Sequence, residues 1–210
     1  YKDIPKEKAN ITESASVKLW GLEFNCSLFN SAGIFKSGYG YEMSAKEGAG
    51  AFLIGTITHN KRFGNIKNNI LHPFAAYPNS KTASNWMGLP NDGISNIISK
   101  ISGIKKQKKC PIGISIAASP DFPEKEGLKF LIEDFQLLEK TQTDFVELNE
   151  SCPNVNQCKT DPSDILDNHL IYRLEKISSM FLKNRNRNLP VILKFSNDTS
   201  TEQIEAIVNI

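Results

Sequence analysis

Phe145-Val146-Glu147-Leu148-Asn149-Glu150-Ser151-Cys152-Pro153-Asn154 decides how this chain folds. Alternating apolar side chains open the run, which suits a β-strand. Asn-Glu-Ser-Cys-Pro-Asn closes it, because Pro153 cannot donate to a sheet ladder and carboxamides bracket a thiol. A strand that hands a Cys and two Asn to the loop at its C-terminal end is how parallel α/β proteins build active sites. There the amides can donate and accept towards a planar polar ligand. The thiol of Cys152, once deprotonated, can take a proton. A turn with a structural thiol fits the same residues, so the choice falls to the rest of the chain.

Outward from that stretch, short apolar runs alternate with helical patterns. Residues 26–30, 51–56, 111–117 and 189–196 read as further core strands. Residues 41–47, closed by Gly48, and 94–104 read as helices. Residues 125–140 carry Leu128, Leu131, Ile132, Phe135 and Leu138 at helical spacing, and 164–184 carry a similar face. Residues 199–210 begin a last helix that Ser200 or Thr199 can cap. Residues 17–24 alternate around Gly21 as a hairpin, and residues 1–16 form a polar N-terminal extension. Strand and helix thus alternate about five times, which predicts a parallel sheet. A doubly wound sheet and a (β/α)8 TIM barrel both fit. No strand runs into a Gly-x-Gly-x-x-Gly helix start, which weighs against the open sheet. A full barrel takes roughly 250 residues. Residues 17–210 are therefore expected to be about the first five β/α units of one α/β barrel domain, continued beyond Ile210.

Candidate ligand contacts sit at the strand ends. Residues 31–40, Ser-Ala-Gly-Ile-Phe-Lys-Ser-Gly-Tyr-Gly, would let backbone approach a flat cofactor, with Lys36 supplying charge. A Gly-rich turn with a solvated lysine fits them equally. Residues 59–91 form a long irregular stretch, and structureless loops of that size are usually functional. Its end, Asn85-Trp86-Met87-Gly88-Leu89-Pro90-Asn91, combines amides, a small Gly and apolar cover. Lys194 stands amid apolar neighbours, costly unless something anionic meets it; the alternative is a strand-end lysine reaching solvent.

Composition narrows the classes. Net charge is +2 over 210 residues, no footprint for nucleic acid, and the cluster Lys105, Lys106, Lys108, Lys109 reads as a solvated loop. No apolar run reaches the roughly 20 residues that cross a bilayer. The N-terminal segment matches neither a secretory signal nor an Arg-rich transit peptide. Cys26, Cys110, Cys152 and Cys158 contain no CxxC pair, so no zinc site is expected. A disulfide framework is out of keeping with this size and class, which suggests a reducing, cytoplasmic setting. His59 and His72 have no spaced metal partner and are expected on the surface or in loops.

Four of these motifs together resemble one family. Asn30-Ser31-Ala32-Gly33, residues 85–91, Asn149-Glu150-Ser151-Cys152-Pro153-Asn154 and Ile192-Leu193-Lys194 stand in the order and spacing of dihydroorotate dehydrogenases, flavin-dependent barrels of pyrimidine synthesis. The resemblance runs from about Leu19 onward. It implies oxidation of (S)-dihydroorotate to orotate with FMN as cofactor. Cys152 would remove a proton from one ring carbon while hydride from the adjacent carbon passes to flavin N5. Asn85, Asn149 and Asn154 would grip the imide and carboxylate edges of the substrate, beside Met87, Gly88 and Leu89. Ala32 and Gly33 would line the FMN, and Thr56 and Ser115 would touch flavin or ribityl oxygens. Asn149 would also reach the flavin. Lys194 would lie by the flavin edge where charge accumulates on reduction.

Departures from the pattern matter. The soluble, Cys-using class carries a lysine where this chain has Gly55. The membrane-associated, quinone-using class has Gly there and a lysine at the place of Lys36, but uses serine in place of Cys152. Lys36 is thus expected to replace the missing cation for the substrate carboxylate. An arginine often found after the Gly-Asn turn is absent after Gly64-Asn65. The electron acceptor stays open among fumarate, NAD through a partner subunit, and quinone, and no N-terminal membrane-binding helical pair is visible, which weighs against quinone. A homodimer is compatible with the resemblance. Glu150 would disfavour the Cys152 thiolate unless it faces away, and a loop within 59–91 or 155–162 would close over the site. Two other readings remain. One is a flavin enzyme acting on another dihydropyrimidine or on dihydrouridine, against which the substrate amides and the balanced charge speak. The other is an inactive barrel fragment.

Overall fold

The structure, a computed structural model, describes residues 9–10, 12–71, 73–151, 168–196 and 198–210. Strands β1 (Val17–Leu19) and β2 (Leu22–Phe24) pair antiparallel as the expected hairpin. Its turn places Trp20 and Gly21 at φ 54° and 80°, the twist that two-residue hairpin loops favour. Helix α1 (Tyr41–Lys46) then leads to β3 (Phe52–Ile57). Two small hairpins follow, β4 (Ile66–Lys67) with β5 (Ile70–Leu71) and β6 (Phe74–Tyr77) with β7 (Thr82–Asn85). The remaining order is α2 (Ile94–Ser102), β8 (Ile112–Ile116), α3 (Glu124–Glu139), β9 (Phe145–Asn149), α4 (Asn168–Ile177), β10 (Val191–Lys194) and α5 (Thr201–Val208). A π-helical turn, Ser178–Leu182, continues α4. Ser200 caps α5 through a capping box with Gln203, as a Ser one residue ahead of the helix should.

Strands β3, β8, β9 and β10 form one parallel sheet whose spatial order is β10-β9-β8-β3. Spatial order therefore follows chain order without a reversal. A doubly wound sheet reverses at its switch point, whereas a barrel keeps adding strands in one direction. The winding is that of a partial (β/α)8 barrel.

Strand pleating divides the core into two layers. Phe52, Ile54, Ile112, Ile114, Ile116, Val146 and Leu148 point outward and pack with the helices against Ile97, Ile101, Leu131 and Phe135. On the other face, Leu53 and Phe145 pack with Phe24, Leu22 and Ile192, so the β1–β2 hairpin plugs the apolar lower part of the barrel. Gly113 makes room there, because a Cβ would sit 2.2 Å from the Phe145 ring. Further along the same inward positions, the residues change from apolar to Ser115, Glu147, Asn149 and Lys194. The barrel is thus dry at the bottom and polar towards the strand C-termini.

Two sequence expectations need correction. Residues 26–30 form no strand. Asn30 instead binds β3 with its side chain: Oδ1 accepts from Leu53 N–H at 3.1 Å and Nδ2 donates to Leu53 O at 2.7 Å. Side-chain bonds replace the backbone ladder, so the segment lies along the β3 edge as irregular chain. Residues 59–91 are not structureless, since both small hairpins lie within them. Asn68 and Asn69 form the first turn at φ 51° and 62°, a conformation Asn tolerates well.

Candidate active site

A single hydrogen-bonded chain crosses the inner face at the polar end. Lys194 Nζ lies 2.8 Å from Glu147 Oε1, and the Ser115 hydroxyl donates to that same oxygen at 2.7 Å. Ser115 Oγ and Thr56 Oγ1 are 3.0 Å apart. Asn149 Nδ2 donates to Thr56 Oγ1 at 2.7 Å, while Asn149 Oδ1 accepts from Ser151 N–H at 3.0 Å and Ser151 Oγ at 2.9 Å. A serine hydroxyl has one proton. Ser115 gives its proton to Glu147, so Thr56 must donate to Ser115, and the Asn149 amide must donate to Thr56. Every donor from Ser151 onward therefore points towards Glu147, with Lys194 arriving from the opposite side.

Register explains the convergence. Glu147 lies beside Ser115 on β8 and beside Ile192 on β10, and Lys194 pairs with Asn149. The lysine thus sits diagonally across from the glutamate on one face, within reach of a long side chain. The cost expected for Lys194 among apolar neighbours is met by Glu147. Sequence reading passed over Glu147, although its place in the alternation Phe145, Glu147, Asn149 marks it as inward-facing.

A second group gathers on the loop between β3 and α2. Lys36 Nζ donates to Pro90 O at 3.1 Å. Lys36, Met87 and Pro90 share the wall of a cavity of about 540 Å³ with Arg62 and Phe63. Gly88 and Leu89 both adopt left-handed backbone, φ 67° and 56°. Leu89 is strained there, and its neighbours hold it: Arg62 Nε donates to Gly88 O at 3.1 Å and Asn91 Nδ2 to Leu89 O at 2.9 Å. A Cβ on Gly88 would strike the Asn65 side chain. Asn85 ends β7 on the exposed side of the loop, and its Oδ1 accepts from Met87 N–H at 3.3 Å. Gly33 N–H donates to Gly55 O at 2.6 Å, which sets Ala32 and Gly33 beside the end of β3. The space above Gly33 is open, since a Cβ there would meet nothing within 4 Å.

Cys152 and Asn154 lie outside the described residues, as do Cys158, His72 and residues 155–162. The residue two before the cysteine is described, however. Glu150 is held by Arg173 of α4, Nε to Oε1 at 3.2 Å and NH2 to Oε2 at 2.8 Å. Both oxygens of the Glu150 carboxylate are thereby held by one guanidinium. His59 lies in the loop after β3, as expected, and is half-buried there: it stacks on Phe130 at 4.3 Å and bonds the buried Asp134 at 2.7 Å. Lys106, read as solvated, pairs with Asp144 at 2.6 Å.

An ammonium, a carboxamide and hydroxyls on one wall, with open space above a glycine, suit the polar edge of a flat heterocyclic cofactor. Lys194, Asn149 and Thr56 are the residues that could hold one. Among the described residues no helix is long and apolar enough to cross a membrane.

Comparison with known proteins agrees with this architecture. The family model for dihydroorotate dehydrogenase matches residues 14–210. Dihydroorotate dehydrogenase (quinone) from Acinetobacter baumannii strain SDF is 27% identical over 198 residues, covering 93% of this chain and 56% of that protein. The corresponding protein of Buchnera aphidicola subsp. Schizaphis graminum is 28% identical over 197 residues, covering 92% and 55%. This chain spans about half the length of the curated relatives it matches. Among solved structures, DHODH from Eimeria tenella in complex with ferulenol superposes with a TM-score of 0.76 at 17% identity, over 98% of this chain and 58% of that one. The ligand-free form gives 0.77 at 18% identity, over 99% and 61%. Sheet winding, inner-face polarity and a family match over nearly the whole chain agree, and the chain belongs to the dihydroorotate dehydrogenase family.

Proposed function

We propose that this chain is part of an enzyme that oxidises dihydroorotate to orotate with FMN as cofactor. The observation that carries the reading is the inner-face wall of Lys194, Asn149 and Thr56 at the strand C-termini, in a chain that belongs to this family. Oxidising a ring CH–CH bond releases one proton and one hydride, and no side chain accepts hydride. FMN, when bound, supplies the hydride acceptor. Cys152 takes the proton, and Arg173 keeps Glu150 from opposing its thiolate. Lys194 and Asn149 donate to the cofactor edge that gains negative charge. Ala32 and Gly33 leave room for its plane, and Ser115 supports the wall from beneath. Lys36 meets the substrate carboxylate, with Asn85, Asn149 and Asn154 on the remaining polar edges and Met87, Gly88 and Leu89 alongside. The relatives named for quinone support a quinone as the final electron acceptor, ahead of fumarate or NAD.

Purified protein should be yellow, and its visible absorption should bleach on anaerobic addition of dihydroorotate. Re-oxidation by a soluble quinone, by fumarate or by NAD then distinguishes the acceptors. Flavin that stays oxidised with dihydroorotate removes that substrate, and a colourless protein removes the flavin.

A further inference from the structure

The Lys194 ammonium does not act as an isolated charge. One oxygen of Glu147 binds it at 2.8 Å and receives the Ser115 hydroxyl at 2.7 Å. Glu147 is more deeply buried than Lys194, with side-chain exposures of 12% and 32%. The lysine is therefore the member of the pair that faces the open wall, and the carboxylate stands behind it. A carboxylate behind a cation has two effects on anything bound in front. It fixes where the ammonium sits, and it offsets part of the positive field.

We infer that Glu147 is a positioning residue that sets how strongly Lys194 stabilises the reduced, anionic form of the bound cofactor. The inference rests on the flavin reading above. Neutralising Glu147 should leave the ammonium opposed by nothing behind it, so the reduced form gains stability and the midpoint potential rises. One unit charge about 6–12 Å away at an effective dielectric near ~20 changes such an equilibrium about tenfold to a hundredfold. For a two-electron couple that is a positive shift of about 30–60 mV.

The test is the midpoint potential of bound flavin, by dye-coupled titration, in wild type and in Glu147→Gln. Gln retains an acceptor oxygen for Ser115 and Lys194 but not the charge. Glu147→Asp keeps the charge and draws it back by one methylene, so it should shift the potential the same way by less; it also serves if the Gln variant does not fold. Glu126→Gln, an exposed residue of α3, changes net charge equally, away from the inner-face pair, and should leave the potential unaltered. A potential that Glu147→Gln or Glu147→Asp leaves unchanged or lowers, or one that Glu126→Gln raises as much, overturns the inference while flavin binding stands. A wild-type protein without bound flavin sinks the parent reading and this inference with it.

Discussion

Asn91 and Thr58 bond each other twice across 33 residues of chain: Asn91 Oδ1 accepts from Thr58 N–H at 3.2 Å and Asn91 Nδ2 donates to Thr58 Oγ1 at 2.9 Å. The same amide accepts from Gly93 N–H at 2.9 Å and donates to Leu89 O at 2.9 Å. One buried side chain thereby fastens the end of β3, the start of α2 and the strained Gly88–Leu89 turn. Asn91→Ala strands buried backbone donors and should cost about 2–3 kcal/mol, read as a lower urea midpoint. Asn91→Asp still accepts from both N–H groups but cannot donate to Thr58 Oγ1 or Leu89 O and buries a charge, so it should recover only part of that loss, and both variants should raise KM for substrate as the loop loosens.

Much of this frame was legible in the residues themselves. Each of the four parallel strands follows a short apolar run ended by small or polar residues, and α3 follows the spacing of Leu128, Leu131, Phe135 and Leu138. Two features escaped for physical reasons. Residues 26–30 look like a strand, but Asn30 binds β3 with its side chain, and no local pattern announces that a side chain will replace a ladder. The partners of Glu147 and His59 come from other elements, Lys194 on β10 and Asp134 on α3. Single residues could be flagged as costly to bury, but pairing needed the register between strands and the packing of helix on sheet.

Thr56→Val tests the direction of the donor chain. Valine keeps the shape and removes the acceptor of Asn149 Nδ2 and the donor to Ser115. The buried Nδ2 of Asn149 then loses its acceptor, costing about 1–3 kcal/mol. Thermal unfolding should show the loss, and the dissociation constant for FMN should rise because Asn149 is then held only through Oδ1. A variant with wild-type stability and flavin affinity would mean that the amide is held by other contacts.

Arg173→Met tests the role of the Glu150 pair. The guanidinium binds both Glu150 oxygens, at 3.2 and 2.8 Å. Removing it leaves a carboxylate uncompensated two residues from Cys152 and takes away a positive charge, and both changes disfavour a thiolate. The pH profile of flavin reduction by dihydroorotate should move upward, by up to about one pH unit. Double substitution with Glu150→Gln should bring the profile back. An unmoved profile would separate the Arg173–Glu150 pair from proton abstraction.

Stability should depend on pH through Asp134. Burial pushes its carboxyl up to about 6 from 3.8, against the opposing pull of its hydrogen bond to His59 and the His59 charge; the neighbouring Glu133 adds to the rise. Between about pH 4 and 6 the folded chain keeps a proton that the unfolded chain has released. The unfolded state then binds fewer protons, so stability falls as pH rises through that window and levels off above it. Full ionisation removes about 3 kcal/mol at about 1.4 kcal/mol per pH unit. Asp134→Asn keeps the shape, cannot ionise, and should flatten this part of the curve of urea midpoint against pH. His59→Phe should extend the fall to higher pH, because the carboxyl loses the partner that draws its ionisation down. A wild-type curve that rises from pH 4 to 6, with Asp134→Asn superposable on it, would show that Asp134 ionises without cost in the fold.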